Sequence, residues 1–201
     1  MEAIIHGLVL AFGLILPLGV QNVFVFSQGA TQPKLIRALP ATFTAAVCDT
    51  FLILLAVFGL STIVLQFEWL KISLMIAGIL FLVYMGYVIW KSKPVANESK
   101  NSALPSRQQI IFALSVSLLN PHAILDTVGV IGTSALKYVG KEQVFFTIAC
   151  ITVSWIWFFG LTVAGSVMKK VDSTGGLMNL FNKFSALFIW GTAIYLLIGL
   201  T

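Results

Sequence analysis

Two carboxylates stand inside long apolar runs of this sequence. Asp49 lies near the middle of PATFTAAVCDTFLILL, and Asp126 lies about four residues past the middle of a run containing LNPHAILDTVGVIG. An ionised carboxylate facing lipid costs ~2.5–3.5 kcal/mol on insertion scales, so each must face protein or water. Neither run holds a Lys or Arg as an internal cation. The acids therefore need a proton, a metal ion or a cationic substrate. The bland alternative keeps each protonated and hydrogen-bonded to Gln21, Asn22, Asn120 or a hydroxyl such as Thr50 or Thr127. Thr42, Ala45, Ala46 and Asp49 recur at helical spacing, which sets the acid of the first run on a small-residue face and calls for a helix or a cavity opposite it.

Pro17 in LPLGVQNVFVFSQG and Pro121 in NPHAILDTVGVIGT break the hydrogen-bond ladder of otherwise apolar helices, beside polar Gln21, Asn22 and Asn120. Helices broken at matching places in two halves of a chain point to a midplane binding site, where freed carbonyls and helix ends meet the substrate; simple kinking is the plainer reading. His122 precedes Asp126 by four residues. On a continuous helix the two share a face and can relay a proton, while a histidine beside a break can equally satisfy a carbonyl. Cys48 and Cys150 lack a CxxC spacing or an adjacent base and read as small hydrophobes rather than a redox pair. Trp155 and Trp157 sit near the middle of their run, off the interfacial belt, and adjacent spacing keeps them from sharing a face. Helix packing is the favoured reading, and a cation–π contact along a path is the other.

These residues need a scaffold, and composition names it. Of the 201 residues 59% are hydrophobic and 9% charged, against about 25% charged in an ordinary soluble domain. A bilayer core about 30 Å thick takes roughly 20 apolar residues per helix. The runs are roughly Ala3 to Phe26, Leu39 to Val64, Leu70 to Trp90, Gln109 to Leu136, Gln143 to Val167 and Phe181 to Leu200. They are unbroken rather than alternating, which selects an all-α integral membrane protein of about six transmembrane helices over a β-barrel. The first run starts at acidic Glu2 and carries polar Gln21 and Asn22, so it is expected to stay as a span rather than act as a cleaved signal. The net charge of +5 is spread over loops, without the basic patch interleaved with aromatics that nucleic acid requires.

Six spans put Lys71, Lys137 and Lys141 on one side of the bilayer. Lys34, Arg37, Lys91, Lys93, Lys100, Arg107, Lys169, Lys170 and Lys183 fall on the other. Basic loops are cytoplasmic, so both termini are expected outside. The polar stretch KSKPVANESKNSALPSR, about residues 91–108, reads as a flexible cytoplasmic linker within a single transmembrane domain covering 1–201. It separates a first repeat of about 1–90 from a second of about 109–201. Three spans per repeat insert the second copy inverted, with Pro17 matching Pro121 and Asn22 matching Asp126. No nucleotide-binding or HExxH motif occurs, so no cofactor is called for and transport would draw on an ion gradient.

The segments GLILPLGVQNVFVFSQG, PATFTAAVCDTFLILLAVFG, LNPHAILDTVGVIG and SWIWFFGL resemble the lysine exporter (LysE-type) family, which includes arginine exporters, along nearly the whole chain. The resemblance implies secondary, proton-coupled efflux of a small amino acid, lysine or arginine first, across the cell membrane of a bacterium through two inverted three-helix halves. It implies site positions at Pro17, Gln21, Asn22, Asp49, Asn120, Pro121 and Asp126. Val20 departs from a second proline expected there. The competing functions are a cation or metal-ion exporter using Asp49 and Asp126 as oxygen ligands, a transmembrane thiol-disulfide carrier through Cys48 and Cys150, and a subunit active only in an assembly. The expected partners are an amino-acid substrate and the lipid bilayer, with no nucleic acid; a homo-oligomer is left open.

Overall fold

The computed structural model describes residues 1–16, 19–60, 68–91, 103–120, 123–124, 127–171 and 176–198, and among them every regular element is helical. The helices are α1 (Glu2–Ile15), α2 (Val20–Thr31), α3 (Leu39–Leu55), α4 (Glu68–Lys91), α5 (Ser106–Leu118), α6 (Lys141–Val171) and α7 (Gly176–Ile198). A 3₁₀ turn, Leu35–Arg37, leads into α3. Ala56–Leu60 carries the end of α3 into a kink with non-helical dihedrals at Phe58 and Gly59, and Thr127–Gly132 is wound as π-helix and runs into the single turn Thr133–Ala135. Among the described residues, Leu39–Gly59 and Lys141–Val171 are long and apolar enough to cross a bilayer, and α1 with α2 would make a third span bent by 78°.

Each long helix sorts its residues by face. On α3, Phe43, Val47, Phe51 and Leu54 are exposed, whereas Ala41, Thr42, Ala45 and Ala46 are fully buried. On α6, Ile148, Ile156, Val163 and Val167 are exposed while Cys150, Phe158 and Thr162 are buried. An exposed face this apolar needs a solvent other than water.

Hydrogen bonds between distant elements define two ends of the bundle. At one, Gln32 Nε2 donates to the Leu104 carbonyl, Gln109 Nε2 to the Arg37 carbonyl and Lys169 Nζ to the Gln32 carbonyl, each at 2.9 Å. This is the linker end. At the other, His6 Nδ1 pairs with the Tyr138 hydroxyl at 2.9 Å, and Gln143 Nε2 reaches the Val57 carbonyl at 3.4 Å. Within the bundle α6 packs along both α1 and α2, α3 packs on α5 and on α6, and α4 packs on α7.

Three expected runs come out differently. The first, read as one span from Ala3 to Phe26, is two helices, because α1 stops at Ile15 and α2 restarts after an extended Gly19 (φ −66°, ψ 168°). The second, expected to reach Val64, ends at Gly59, whose φ of +120° suits glycine and stops a right-handed helix. The fourth, expected from Gln109 to Leu136, ends its first α-helix at Leu118, is helical again at Ala123 and Ile124, and is π-wound over Thr127–Gly132, a form that recurs at functional sites; 121–122 and 125–126 lie outside the described residues.

Candidate functional site

The break between α1 and α2 frees carbonyls that lipid cannot satisfy. Asn22, in the first turn of α2, donates from Nδ2 to the Ile15 carbonyl at 2.8 Å and so bridges the gap. The start of α2 lines a cavity of about 250 Å³, with Gly19, Val20, Gln21 and Asn22 in its wall. The N-cap, Gly19, carries no side chain of its own, and the helix dipole puts a partial positive charge at this end.

Asp49 projects into the same cavity from the small-residue face of α3. Its carboxylate accepts a hydrogen bond from the Ser154 hydroxyl of α6, another lining residue. Gln21 Nε2 reaches across to the Ala45 carbonyl at 3.4 Å, one turn before the acid. Asn120, just past the end of α5, supplies a further wall; it is 6% exposed and its Oδ1 has no hydrogen-bond partner. Thr127 of the π-wound segment completes the polar lining, and Leu14, Leu82, Phe158 and Ile189 contribute apolar surface. An acid, amide oxygens and a helix N-terminus in one enclosure of this volume can hold a small molecule that carries both a cationic and an anionic group.

Of the residues singled out in the sequence, Gln21, Asn22, Asp49 and Asn120 meet in this cavity. Pro17, Pro121, His122 and Asp126 lie outside the described residues. The two mid-span tryptophans pack instead of lining the cavity: Trp155 stands edge-on to Phe43 and donates to Thr50 Oγ1 at 3.0 Å, while Trp157 stands edge-on to Phe12. Cys48 and Cys150 are both buried free thiols, the latter directed at the Gly7 carbonyl at 3.6 Å. Among the described residues no three of His, Cys, Asp and Glu cluster as metal ligands would.

The model of the family described as LysE type translocator matches residues 12–200. The chain belongs to that family. This translocator is 54% identical over 195 residues to the protein named "Putative amino-acid transporter YisU" of Bacillus subtilis strain 168, an alignment covering 97% of the chain and 89% of the relative. It is 33% identical over 197 residues to the arginine exporter protein ArgO of Pectobacterium carotovorum, covering 96% and 95%, and 30% identical over 195 residues to ArgO of Escherichia coli K12, covering 95% and 91%. No solved structure matches it.

Sequence reasoning missed Ser154, the translocator's partner for Asp49. It lies in SWIWFFGL with no hydroxyl, amide or charged residue three or four positions away on its own helix, and its role exists only through the crossing of α6 with α3. Phe158, one turn further on, was passed over for the same reason. Its spacing of four from Ser154 was the one available signal, and that spacing is as common in packing faces as in sites.

Proposed function

We propose that the chain exports an amino acid, first of all a basic one such as lysine or arginine, by proton-coupled secondary transport. The observation that carries this reading is the Asp49 cavity, which brings a carboxylate, an unpartnered amide oxygen and the N-terminus of α2 into one lining. A zwitterion's ammonium would meet Asp49 and Asn120, and its carboxylate would meet the start of α2. The names of the relatives, an amino-acid transporter and arginine exporters, support the same substrate class. Asp126, Pro17, Pro121 and His122 join the proposal on their sequence positions alone. Asp49 is the group proposed to alternate between a proton and the cargo.

Two inverted repeats in a single domain belong to this reading. A pseudo-two-fold axis exchanging α3 with α6 and α4 with α7 would account for the packing: α6 lies on the broken first element of one half, α3 on the broken element of the other, and each exchanged pair is in contact with itself. The linker would face the cytoplasm of a bacterial cell. Counterflow in proteoliposomes against a panel of basic and neutral amino acids and divalent cations tests the function. Accumulation of labelled arginine or lysine, suppressed by an excess of the same compound, is expected. Exchange of a divalent cation in place of any amino acid would overturn the reading.

A further inference from the structure

Buried polar atoms without partners are rare in folded proteins because each costs about 1–3 kcal/mol, so where they gather matters. Among the described residues, three fall on one face of α5 and its continuation: Gln109 Oε1, Ser117 Oγ and Asn120 Oδ1. All three side chains are more than nine-tenths buried, as is Ala113 between them. The spacing 109, 113, 117, 120 makes a single stripe, running from the linker end to the cavity. It faces α3, since Gln109 bonds the Arg37 carbonyl before that helix, Ala113 shares an apolar cluster with Ala41, and the weak thiol of Cys48 lies beside Ser117.

A second stripe of the same spacing lies on α2, where Gln21, Val25, Gln28 and Gln32 are all buried. It too begins at the cavity and ends at the linker end, with Gln32 Nε2 donating both to Gln28 Oε1 and to the Leu104 carbonyl. Gln109 Nε2 donates to that same carbonyl at 2.9 Å. Leu104 thus ties the outer ends of the two stripes together. Between this tie and the cavity α2 and α5 meet in apolar contacts, among them Phe24 of α2 against Phe112 of α5, with ring centroids 4.2 Å apart.

We propose that the seam between α2, α3 and α5 is the route by which cargo passes between the linker end and the Asp49 cavity. It is shut in this structure by the Phe24–Phe112 pair and by the Gln32–Leu104–Gln109 latch. The proposal rests on the transport reading and adds where the cargo moves. Unpartnered oxygens spaced along a sealed interface find donors when the seam parts, from water or from an ammonium or guanidinium group. The small side chains of Ala41, Ala45 and Ala113 leave room for it.

The test is thiol labelling in reconstituted protein carrying Cys48→Ala and Cys150→Ala, with Ser117→Cys as reporter. The control is the Cys48→Ala protein that keeps Cys150, a thiol fully buried on α6 against the Gly7 carbonyl of α1 and away from the seam. A small quaternary-ammonium thiosulfonate is added on the linker face. Ser117→Cys should be modified and Cys150 of the control spared, and adding Gln109→Ala should raise the Ser117→Cys rate about tenfold, the effect of losing one to two ordinary hydrogen bonds that hold the seam closed. Ala113→Cys is the second reporter, one turn nearer the linker end, should Ser117→Cys not fold. Reporters that label no faster than Cys150 of the control, with or without Gln109→Ala, overturn the route. Seam labelling without exchange of any amino acid keeps the route and removes the amino-acid reading. Exchange with silent seam cysteines does the reverse.

Discussion

Helix α2 makes two kinds of contact along its length, and they are built from opposite materials. Against α6 it is locked by glycine: a side chain on Gly29 would collide with the Thr162 carbonyl, and one on Gly165 with the Phe26 carbonyl. Close by, the hydroxyls of Thr42 and Thr162 pair at 2.7 Å. Backbones this close leave no second arrangement, and in lipid, where apolar burial drives little association, such fit is what holds helices together. On the side of α3 and α5 the same helix presents glutamines, and α5 answers with oxygens that bond nothing. One interface is finished, and the other is left incomplete. Moving parts belong at the incomplete one, because parting it exposes groups that gain partners.

The largest effect expected is therefore at the finished contact. Gly29→Val should destabilise the protein by about 3 kcal/mol, the upper range for overpacking a tight site, and show as loss of monodisperse protein in detergent. A folded, fully active Gly29→Val would remove the contrast. Next comes the cavity: Asp49→Asn should insert and fold, yet lower gradient-driven efflux about 30-fold or more, the scale of losing a buried charge's partner. Some exchange without a gradient should remain, and normal export with an unchanged pH dependence would refute the role of Asp49.

The seam yields the sharpest split. Ser117→Ala removes an unpartnered oxygen, so its thermal stability should stay level or rise, within about 1 kcal/mol, while transport falls about fivefold. A matching drop in both quantities would make Ser117 an ordinary structural residue. Smallest is Trp155→Phe, which deletes the bond to Thr50 outside the cavity. A loss of about 1 kcal/mol in thermal unfolding is expected, with half-saturation for substrate unchanged.

How much of this was legible in the sequence follows from the range of each interaction. Asp49 on a small-residue face and a break beside Asn22 are local patterns, written in helical spacing and in the polar residues near Pro17. Ser154 was not legible, because its function depends on a residue 105 positions away. Gly29 and Gly165 were silent for a related reason: glycine in an apolar helix marks a kink, a bulge or a close approach alike, and only the neighbouring backbone decides. The glutamine stripe of α2 kept a readable period, but reading the first run as one helix from Ala3 to Phe26 stopped short of Gln28 and Gln32. The π winding after Asn120 shifted the phase of everything beyond it.

The bond from Asn22 to the Ile15 carbonyl has a consequence for biogenesis. It spans seven residues, so it closes within a segment that leaves the ribosome before α3 to α7 exist to help. A broken helix entering the bilayer alone would expose bare carbonyls to acyl chains. This one carries its own patch, and the nascent chain can hold the bend while it waits for α6, which is made more than a hundred residues later.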